Sequence, residues 1–100
     1  MAIKRGLLLN PADNVANVLE EVIPGDAVQL TLGKEIVTIG AHERIPFGFK
    51  VAVREIMPYA PIIKYGERIG IASERIEKGM LVHTHNLAGS RGRGDLAKKT

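Results

Sequence analysis

Two segments in which apolar and polar residues alternate, joined by two residues, constrain the fold of this chain most strongly. Residues 27–32 read Ala-Val-Gln-Leu-Thr-Leu, and residues 35–40 read Glu-Ile-Val-Thr-Ile-Gly. A period of two residues is typical of a β-strand with one buried face. Gly33 and Lys34 between the segments suit a tight turn with glycine at its first position. The sequence therefore predicts a β-hairpin here.

Four further apolar-rich segments are separated by proline or glycine, and each is predicted to be a strand. These segments are residues 50–56, 60–65, 68–73 and 79–87. The core they form is aliphatic, because the chain contains no Trp and only two Tyr and two Phe. The expected fold class is mainly β.

Residues 13–22 show a period that is typical of a helix. The apolar positions follow the pattern i, i+3, i+4 and i+7, and they are Val15, Val18, Leu19 and Val22. Asp13 suits the N-cap, and Pro24 with Gly25 suits the end. We therefore expect one short N-terminal amphipathic helix.

A similar turn recurs along the chain. Residues 21–28, 55–62 and 75–82 share a charged residue, an aliphatic residue, a turn and an aliphatic residue that enters a strand. Their spacings of 34 and 20 residues are unequal, which excludes a solenoid with a fixed period. We interpret the segments as a recurring turn within one small β-domain.

The length of 100 residues suits a single domain, predicted over residues 1–87, with a flexible, basic, glycine-rich tail over residues 88–100. The absence of Cys excludes disulfides and thiolate metal sites, and it fits a cytoplasmic location. No apolar run approaches the roughly 20 residues that span a bilayer, so we expect no membrane partner. The net charge of +3 comes largely from residues near the termini, without interleaved aromatic residues, so we expect no nucleic-acid partner. The sequence is compatible with a homo-oligomer.

His83 and His85 are the first candidates for chemistry. On a strand over 79–87 both imidazoles would point to one side. This spacing can supply two metal ligands, whereas metal sites usually need three from the protein. Candidates for a third ligand are His42, Glu43 and Asp95. Two exposed or hydrogen-bonded strand histidines without a metal are the commoner arrangement.

Basic residues beside glycine are the second group of candidates. Arg91 and Arg93 can bind a carboxylate, phosphate or sulfonate bidentately, although a loose basic tail is more common. Lys50 and Lys64 lie beside glycine-containing turns that can direct an ammonium toward an anion, although a solvated lysine is the usual case. The chain has no Gly-x-Ser-x-Gly motif and no phosphate-binding glycine loop before a helix. No self-contained catalytic constellation is visible.

Four segments in the same order resemble the small subunit or N-terminal domain of the altronate/galactarate dehydratase family. They are residues 13–22, 45–56, 62–87 and 91–95. The chain is also similar to the related sulfolactate sulfo-lyase small subunit. The resemblance covers about residues 10–95 and implies a SAF domain with a β-clip fold. One departure is Phe49 within Gly-Phe-Lys, where the family has Gly-His-Lys.

The resemblance implies a hydro-lyase that removes water from a sugar acid to give a 2-keto-3-deoxy acid. Such an elimination needs a base, a group that stabilises the enediolate, and an acid or metal at the leaving hydroxyl. We therefore expect a large dehydratase subunit as partner, a small anionic sugar acid as substrate, and a divalent metal (Fe²⁺, Mn²⁺ or Mg²⁺) held mainly by the large subunit. This chain is expected to complete the partner's active site.

Within that family model, His83 and His85 are the candidates for proton transfer or metal ligation, because an imidazole pKa near 6.5 suits both roles. Asn86 is expected to orient them. Asp13 and Asn14 match the family's Asp-Asn-Val, and either cap the helix or reach the substrate. The residues expected to contact the substrate's carboxylate and hydroxyl groups are Lys50, Lys64, Tyr65, Arg91 and Arg93.

Two other functions stay open. A lyase that expels sulfite from sulfolactate would keep the same architecture. A non-catalytic module that binds a sugar acid or a partner protein is the second alternative, and Phe49 in place of the family's histidine favours it.

Overall fold

The computed structural model describes residues 2–89, which form nine β-strands and no helix. The strands are β1 (Ile3–Leu7), β2 (Val15–Val18), β3 (Ala27–Leu32), β4 (Glu35–Gly40), β5 (Lys50–Ala52), β6 (Pro61–Lys64), β7 (Glu67–Ala72), β8 (Leu81–Val82) and β9 (Leu87–Ala88). The mainly β class is confirmed. β9 extends one residue past the predicted domain end, and residues 90–100 of the predicted tail lie outside the described residues.

The strands form two sheets. The larger has the order β4-β3-β1-β2-β5-β8, and the smaller has the order β6-β7-β9. The predicted hairpin is β3–β4, in which Leu32 pairs with Glu35 and Gly33 adopts a φ of 61°. The β1–β3 pair is parallel, and the other pairs are antiparallel. Across residues 2–89, no helix is long and apolar enough to cross a bilayer.

The predicted helix over residues 13–22 is wrong, because its centre is strand β2. β2 lies between β1 and β5 in the larger sheet. Both of its faces are covered, so buried residues do not alternate with exposed ones and the spacing imitates a helical stripe. Val15 and Val18 point to opposite faces, and Leu19 is exposed. Sheet partners on both sides satisfy the backbone of β2, and this pairing overrides the local pattern.

Two apolar clusters fill the domain, one on each side of the larger sheet. The first core comprises Leu8, Ala16, Val18, Val22, Val28, Leu30, Ile39, Ala41, Ile45, Val51 and Val53. The second core comprises Val15, Ala52, Ile56, Ile62, Ala72, Ile76 and Val82, and it includes residues of the smaller sheet. β2 and β5 contribute to both cores because alternate residues of a strand face opposite ways.

Within residues 2–89 the recurring turn is present four times, once more than the sequence indicated. Each copy begins at a buried aliphatic residue and closes with a backbone bond of 3.0–3.1 Å between residues three apart. The four starting residues are Val22, Ile45, Ile56 and Ile76. They pair as two antiparallel bridges, Val22 with Ile45 in the first core and Ile56 with Ile76 in the second. The missed copy contains Glu-Arg-Ile at 43–45, the same tripeptide as at 74–76.

The two bridges are flanked by equivalent ion pairs. Glu21 and Arg44 precede the residues of the first bridge and are joined at 2.5 Å. Glu55 and Arg75 occupy the same places at the second bridge and are also joined. The domain is therefore built from two related pairs of turns, which hold the ends of the strands in place.

Candidate functional site

Lys50, at the start of β5, lies on the face of the larger sheet that carries the second core. Val51 belongs to the first core and Ala52 to the second, so strand alternation places Lys50 on the same side as Ala52. Lys50 pairs in register with Asn17 on β2 and with Val82 on β8. Its side chain is half-buried.

Lys64 ends β6 and leads into a two-residue turn. Tyr65 and Gly66 have φ values of 56° and 76°, which is the pattern of a type I′ hairpin. A left-handed conformation is unfavourable for tyrosine, since its Cβ crowds the backbone. The Lys64 ammonium lies 4.8 Å from the centroid of the Tyr65 ring. The strained turn thus brings a cation and a phenol together.

The two lysines act on one another electrostatically. Burial lowers the pKa of Lys50, and the positive charge of Lys64 lowers that pKa further. Among residues 2–89, the ion pairs include neither lysine. Two ammonium groups that interact, and that form no ion pair among the described residues, are an arrangement suited to an anion.

Asp13 and Asn14 hold the β6–β7 hairpin against the larger sheet. Asp13 is 1% exposed, and its Oδ1 accepts a hydrogen bond from the Gly66 amide at 2.8 Å. Asn14 Oδ1 accepts from the Ile63 amide at 2.7 Å, while Asn14 Nδ2 donates to the Pro61 carbonyl at 2.9 Å. The expected role of Asp13 and Asn14 as helix caps is wrong, because residues 13–22 do not form a helix. In this structure the two side chains position the hairpin that carries Lys64 and Tyr65, and substrate contact by either stays a prediction.

The strand expected over residues 79–87 is interrupted after Val82. Residues 83–86 form a turn, so His83 and His85 are not alternate residues of one strand. Asn86 explains the interruption, because its Oδ1 accepts from the His83 amide at 2.9 Å and its Nδ2 donates to the Leu81 carbonyl at 2.8 Å. Asn86 is 4% exposed. Asparagine often stabilises turns in this way, and this was the local signal available in the sequence.

His83 and Lys50 face opposite sides of the larger sheet. The His83 ring lies 4.5 Å from the Phe49 ring, and Phe49 packs against the first core. Lys50, the residue after Phe49, faces the second core. His85 is exposed. Lys64 therefore interacts with both Lys50 and Tyr65, whereas His83 lies on the other face of the larger sheet.

The described residues do not fit a divalent metal by themselves. Within residues 2–89, no three His, Asp or Glu side chains are grouped as metal ligands. Glu43 Oε2 accepts from the Leu81 amide at 2.9 Å, and His42 Nδ1 lies 3.8 Å from the Glu77 carboxylate. Arg91, Arg93 and Asp95 lie outside the described residues.

Asn17 was missed because the sequence placed it within a helix. In β2 its Nδ2 donates to the Gly48 carbonyl at 2.7 Å, and it pairs in register with Lys50. No local pattern in the sequence distinguishes it, since its position beside Lys50 depends on strand pairing.

The strands form a small β-domain with two apolar cores, and Lys50 and Lys64 add two interacting positive charges to it. The chain matches the family model described as the altronate/galactarate dehydratase SAF domain over residues 4–90, and it belongs to that family. An altronate dehydratase of Escherichia coli (strain K12) is 33% identical over 78 residues, which are 78% of this chain and 15% of that protein. The family expected from the sequence is therefore confirmed.

Proposed function

We propose that this chain is the SAF subunit of a cytoplasmic hydro-lyase, which converts an altronate- or galactarate-like acid into a 2-keto-3-deoxy acid. In this proposal it completes the active site of a large dehydratase subunit. Membership of the dehydratase SAF family supports the reaction class. The observation that carries a role for this chain is that the half-buried Lys50 and Lys64 interact electrostatically, and that neither forms an ion pair among the described residues.

The lysines suit the electrostatic demand of the reaction. Removing the proton next to a carboxylate builds an enediolate, and positive groups already in place stabilise the charge that develops. Lys50 is half-buried and therefore interacts more strongly with an anion than a fully hydrated lysine would. Tyr65, held beside Lys64, is proposed to contact a substrate hydroxyl.

The remaining catalytic groups come from elsewhere in this proposal. The large subunit supplies the base and holds most of the ligands of a divalent metal, since the described residues do not fit one. His83 and His85 are proposed to transfer a proton or to add a ligand in the large subunit's site. Asn86 positions that turn. Arg91 and Arg93 are proposed to contact the anionic substrate.

The test is to co-purify the chain with a large dehydratase subunit and to assay aldonates, aldarates and sulfolactate with Fe²⁺, Mn²⁺ or Mg²⁺. Lys50→Met and Lys64→Met should each lower kcat/KM at least about tenfold, as expected for loss of a charge-assisted contact. Lys34→Met removes an exposed lysine from the other hairpin and is the matched control. Unchanged kcat/KM in both site variants would contradict the proposal.

Other outcomes separate the alternatives. Turnover of sulfolactate alone identifies a sulfo-lyase, and anion binding without turnover in any complex identifies a non-catalytic module. His83→Ala and His85→Ala in an active complex test the histidines separately. If turnover and metal content both stay at the wild-type level, the roles assigned to the histidines are wrong, whereas the lysine site is unaffected.

A further inference from the structure

The second core covers only half of its face of the larger sheet. Val15, Ala52 and Val82 bring β2, β5 and β8 into that core, and none of its members lies on β1, β3 or β4. Those three strands are neighbours and form the other half of the larger sheet. One half of this face is therefore left without an apolar layer packed over it.

The uncovered half is called the open face, and strand alternation identifies its residues. Val28 and Ile39 point into the first core, and a Cβ on Gly6 would meet side chains of that core, so the alternate positions point the other way. Each of these positions is exposed or half-buried. The open face comprises Ile3, Arg5 and Leu7 of β1, Ala27, Gln29 and Thr31 of β3, and Ile36, Thr38 and Gly40 of β4.

The open face carries little charge. Its one charged side chain is Arg5, whose Nε donates to Glu20 at 3.2 Å, whereas charged residues make up 25% of the whole chain. Two of its aliphatic side chains are largely in solvent, since Ile36 is 64% exposed and Ile3 is 61% exposed. Depletion of charge on a surface with apolar side chains is typical of the centre of a protein–protein interface.

A row of paired residues joins the open face to Lys50. Paired residues on adjacent strands point to the same side of a sheet. Lys50 is half-buried and lies where the second core ends and the open face begins. A partner protein that reaches Lys50 therefore arrives over the open face, because the second core occupies the other side. The row runs in register through Ile36, Thr31, Leu7, Asn17, Lys50 and the buried Val82.

A second copy of this chain is a poor partner for the open face. Pairing the open faces of two copies would bring Lys50 of each, with the charge of Lys64 that acts on it, to one interface. The open face has no acidic residue to balance these charges. Like charges across an interface oppose association. The face instead suits a different protein whose docking surface is uncharged and apolar.

We infer that the open face is the docking surface for the large dehydratase subunit, with Leu7, Thr31 and Ile36 at the centre of the contact. The inference rests on the proposed function and adds to it the surface through which the two subunits assemble. Docking over this face places the partner beside Lys50, which the proposed function requires.

The first test uses the absence of cysteine from the chain, since one introduced thiol then reports on one position. Ile36→Cys should react with a maleimide in the free chain and be protected in the complex with the large subunit. The mass of this chain measures the reaction. Phe47→Cys is the control, because Phe47 is 69% exposed in the turn that follows Ile45 of the first core. It should react equally in the free chain and in the complex.

The second test places a charge at the centre of the open face. Ile36→Glu and Thr31→Glu should each weaken binding to the large subunit at least about tenfold, as expected at the centre of an interface. Calorimetry measures the affinity. Both positions are exposed, so the Tm of each free variant should stay near that of wild type. Phe47→Glu introduces the same charge outside the open face and should leave the affinity unchanged.

Three results would overturn the inference and leave the proposed function intact. They are equal labelling of Ile36→Cys in the free chain and the complex, wild-type affinity in both glutamate variants of the open face, and an equal loss of affinity in Phe47→Glu. Protection of Ile36→Cys in the free chain at rising concentration would assign the face to a second copy and would also overturn it. If the wild-type chain does not bind the large subunit, the proposed function itself is contradicted, and the inference with it.

Discussion

The Asp13 carboxylate accepts a hydrogen bond from the Gly66 amide at 2.8 Å, across 53 residues of sequence. Asn10 occupies the space beside the same glycine, with its Nδ2 2.7 Å from where a Cβ would lie. The turn that carries Tyr65 is thus fixed to the segment preceding β2. The position of Lys64 relative to Lys50 depends on this connection between the two sheets.

Asp13→Ala should destabilise the domain by about 1–3 kcal/mol, because it leaves the Gly66 amide without a partner. Urea denaturation followed by circular dichroism measures this change in the free energy of unfolding. Asp13→Asn keeps a side-chain oxygen acceptor and should cost less than Asp13→Ala. A free energy of unfolding for Asp13→Ala within about 0.5 kcal/mol of wild type would show that the bond is not important.

Tyr65→Asn should stabilise the domain, since asparagine tolerates the φ of 56° that tyrosine adopts here. Relief of the left-handed strain is about 1 kcal/mol, and loss of the contact with Lys64 offsets about half of it. Thermal denaturation should therefore show a higher Tm. Lys34→Asn in the β3–β4 turn is the control and should change stability little. A lower Tm for Tyr65→Asn would mean that packing of the tyrosine ring stabilises the domain by more than the backbone strain destabilises it.

Asp26 should make stability depend on pH in the acid range. The Ile23 amide donates to its carboxylate at 3.1 Å, and this bond, with help from Ala2 and Lys4, lowers the pKa of Asp26 below 3.8 despite burial. Between the folded and unfolded pKa values the unfolded chain binds more protons, so stability rises with pH there. The contribution of the ionised Asp26 carboxylate to the free energy of unfolding is complete above about pH 4. It is lost as the pH falls through the pKa of Asp26 in the folded state.

The measurement for Asp26 is urea denaturation of wild type and Asp26→Asn from pH 2 to 7. The variant should be less stable near neutral pH, and the difference should shrink below about pH 4. Glu74→Gln removes the same charge from an exposed position and controls for net charge. If the difference in stability between wild type and Asp26→Asn stays constant down to pH 2, the variant loses stability through altered packing and not through loss of the ionised carboxylate.

Gly79 and Gly25 occupy equivalent places in two of the four turns, and both have a φ of 92°. A Cβ at Gly79 would lie 2.1 Å from the Gly40 carbonyl oxygen, whereas nothing lies within 4 Å of one at Gly25. Both alanine variants carry the same backbone strain, so their difference isolates the contact. Gly79→Ala should therefore be less stable than Gly25→Ala by about 1–3 kcal/mol in urea denaturation. Equal losses of stability in the two variants would show that the Gly40 segment shifts without cost to make room for the added Cβ.

Local patterns were reliable where one face of a strand is exposed. The β3–β4 hairpin follows directly from alternation and from Gly33, and family membership follows from several motifs in order. β2 did not follow, because a strand covered on both faces has no alternation to detect. The turn at residues 83–86 was missed for a different reason, since one asparagine, Asn86, outweighed the apolar strand pattern.

The sequence by itself determined the mainly β class, the first hairpin, three of the four turns and the family. The tertiary structure alone decided which candidate functional residues interact with one another. Lys50 and Lys64 act on each other because β6 is fixed to the larger sheet by Asn14, and Asn17 neighbours Lys50 because β2 pairs with β5. The periodicity of apolar residues indicates which face of one segment is buried. The proximity of these residues instead depends on pairing between distant segments, which no local pattern specifies.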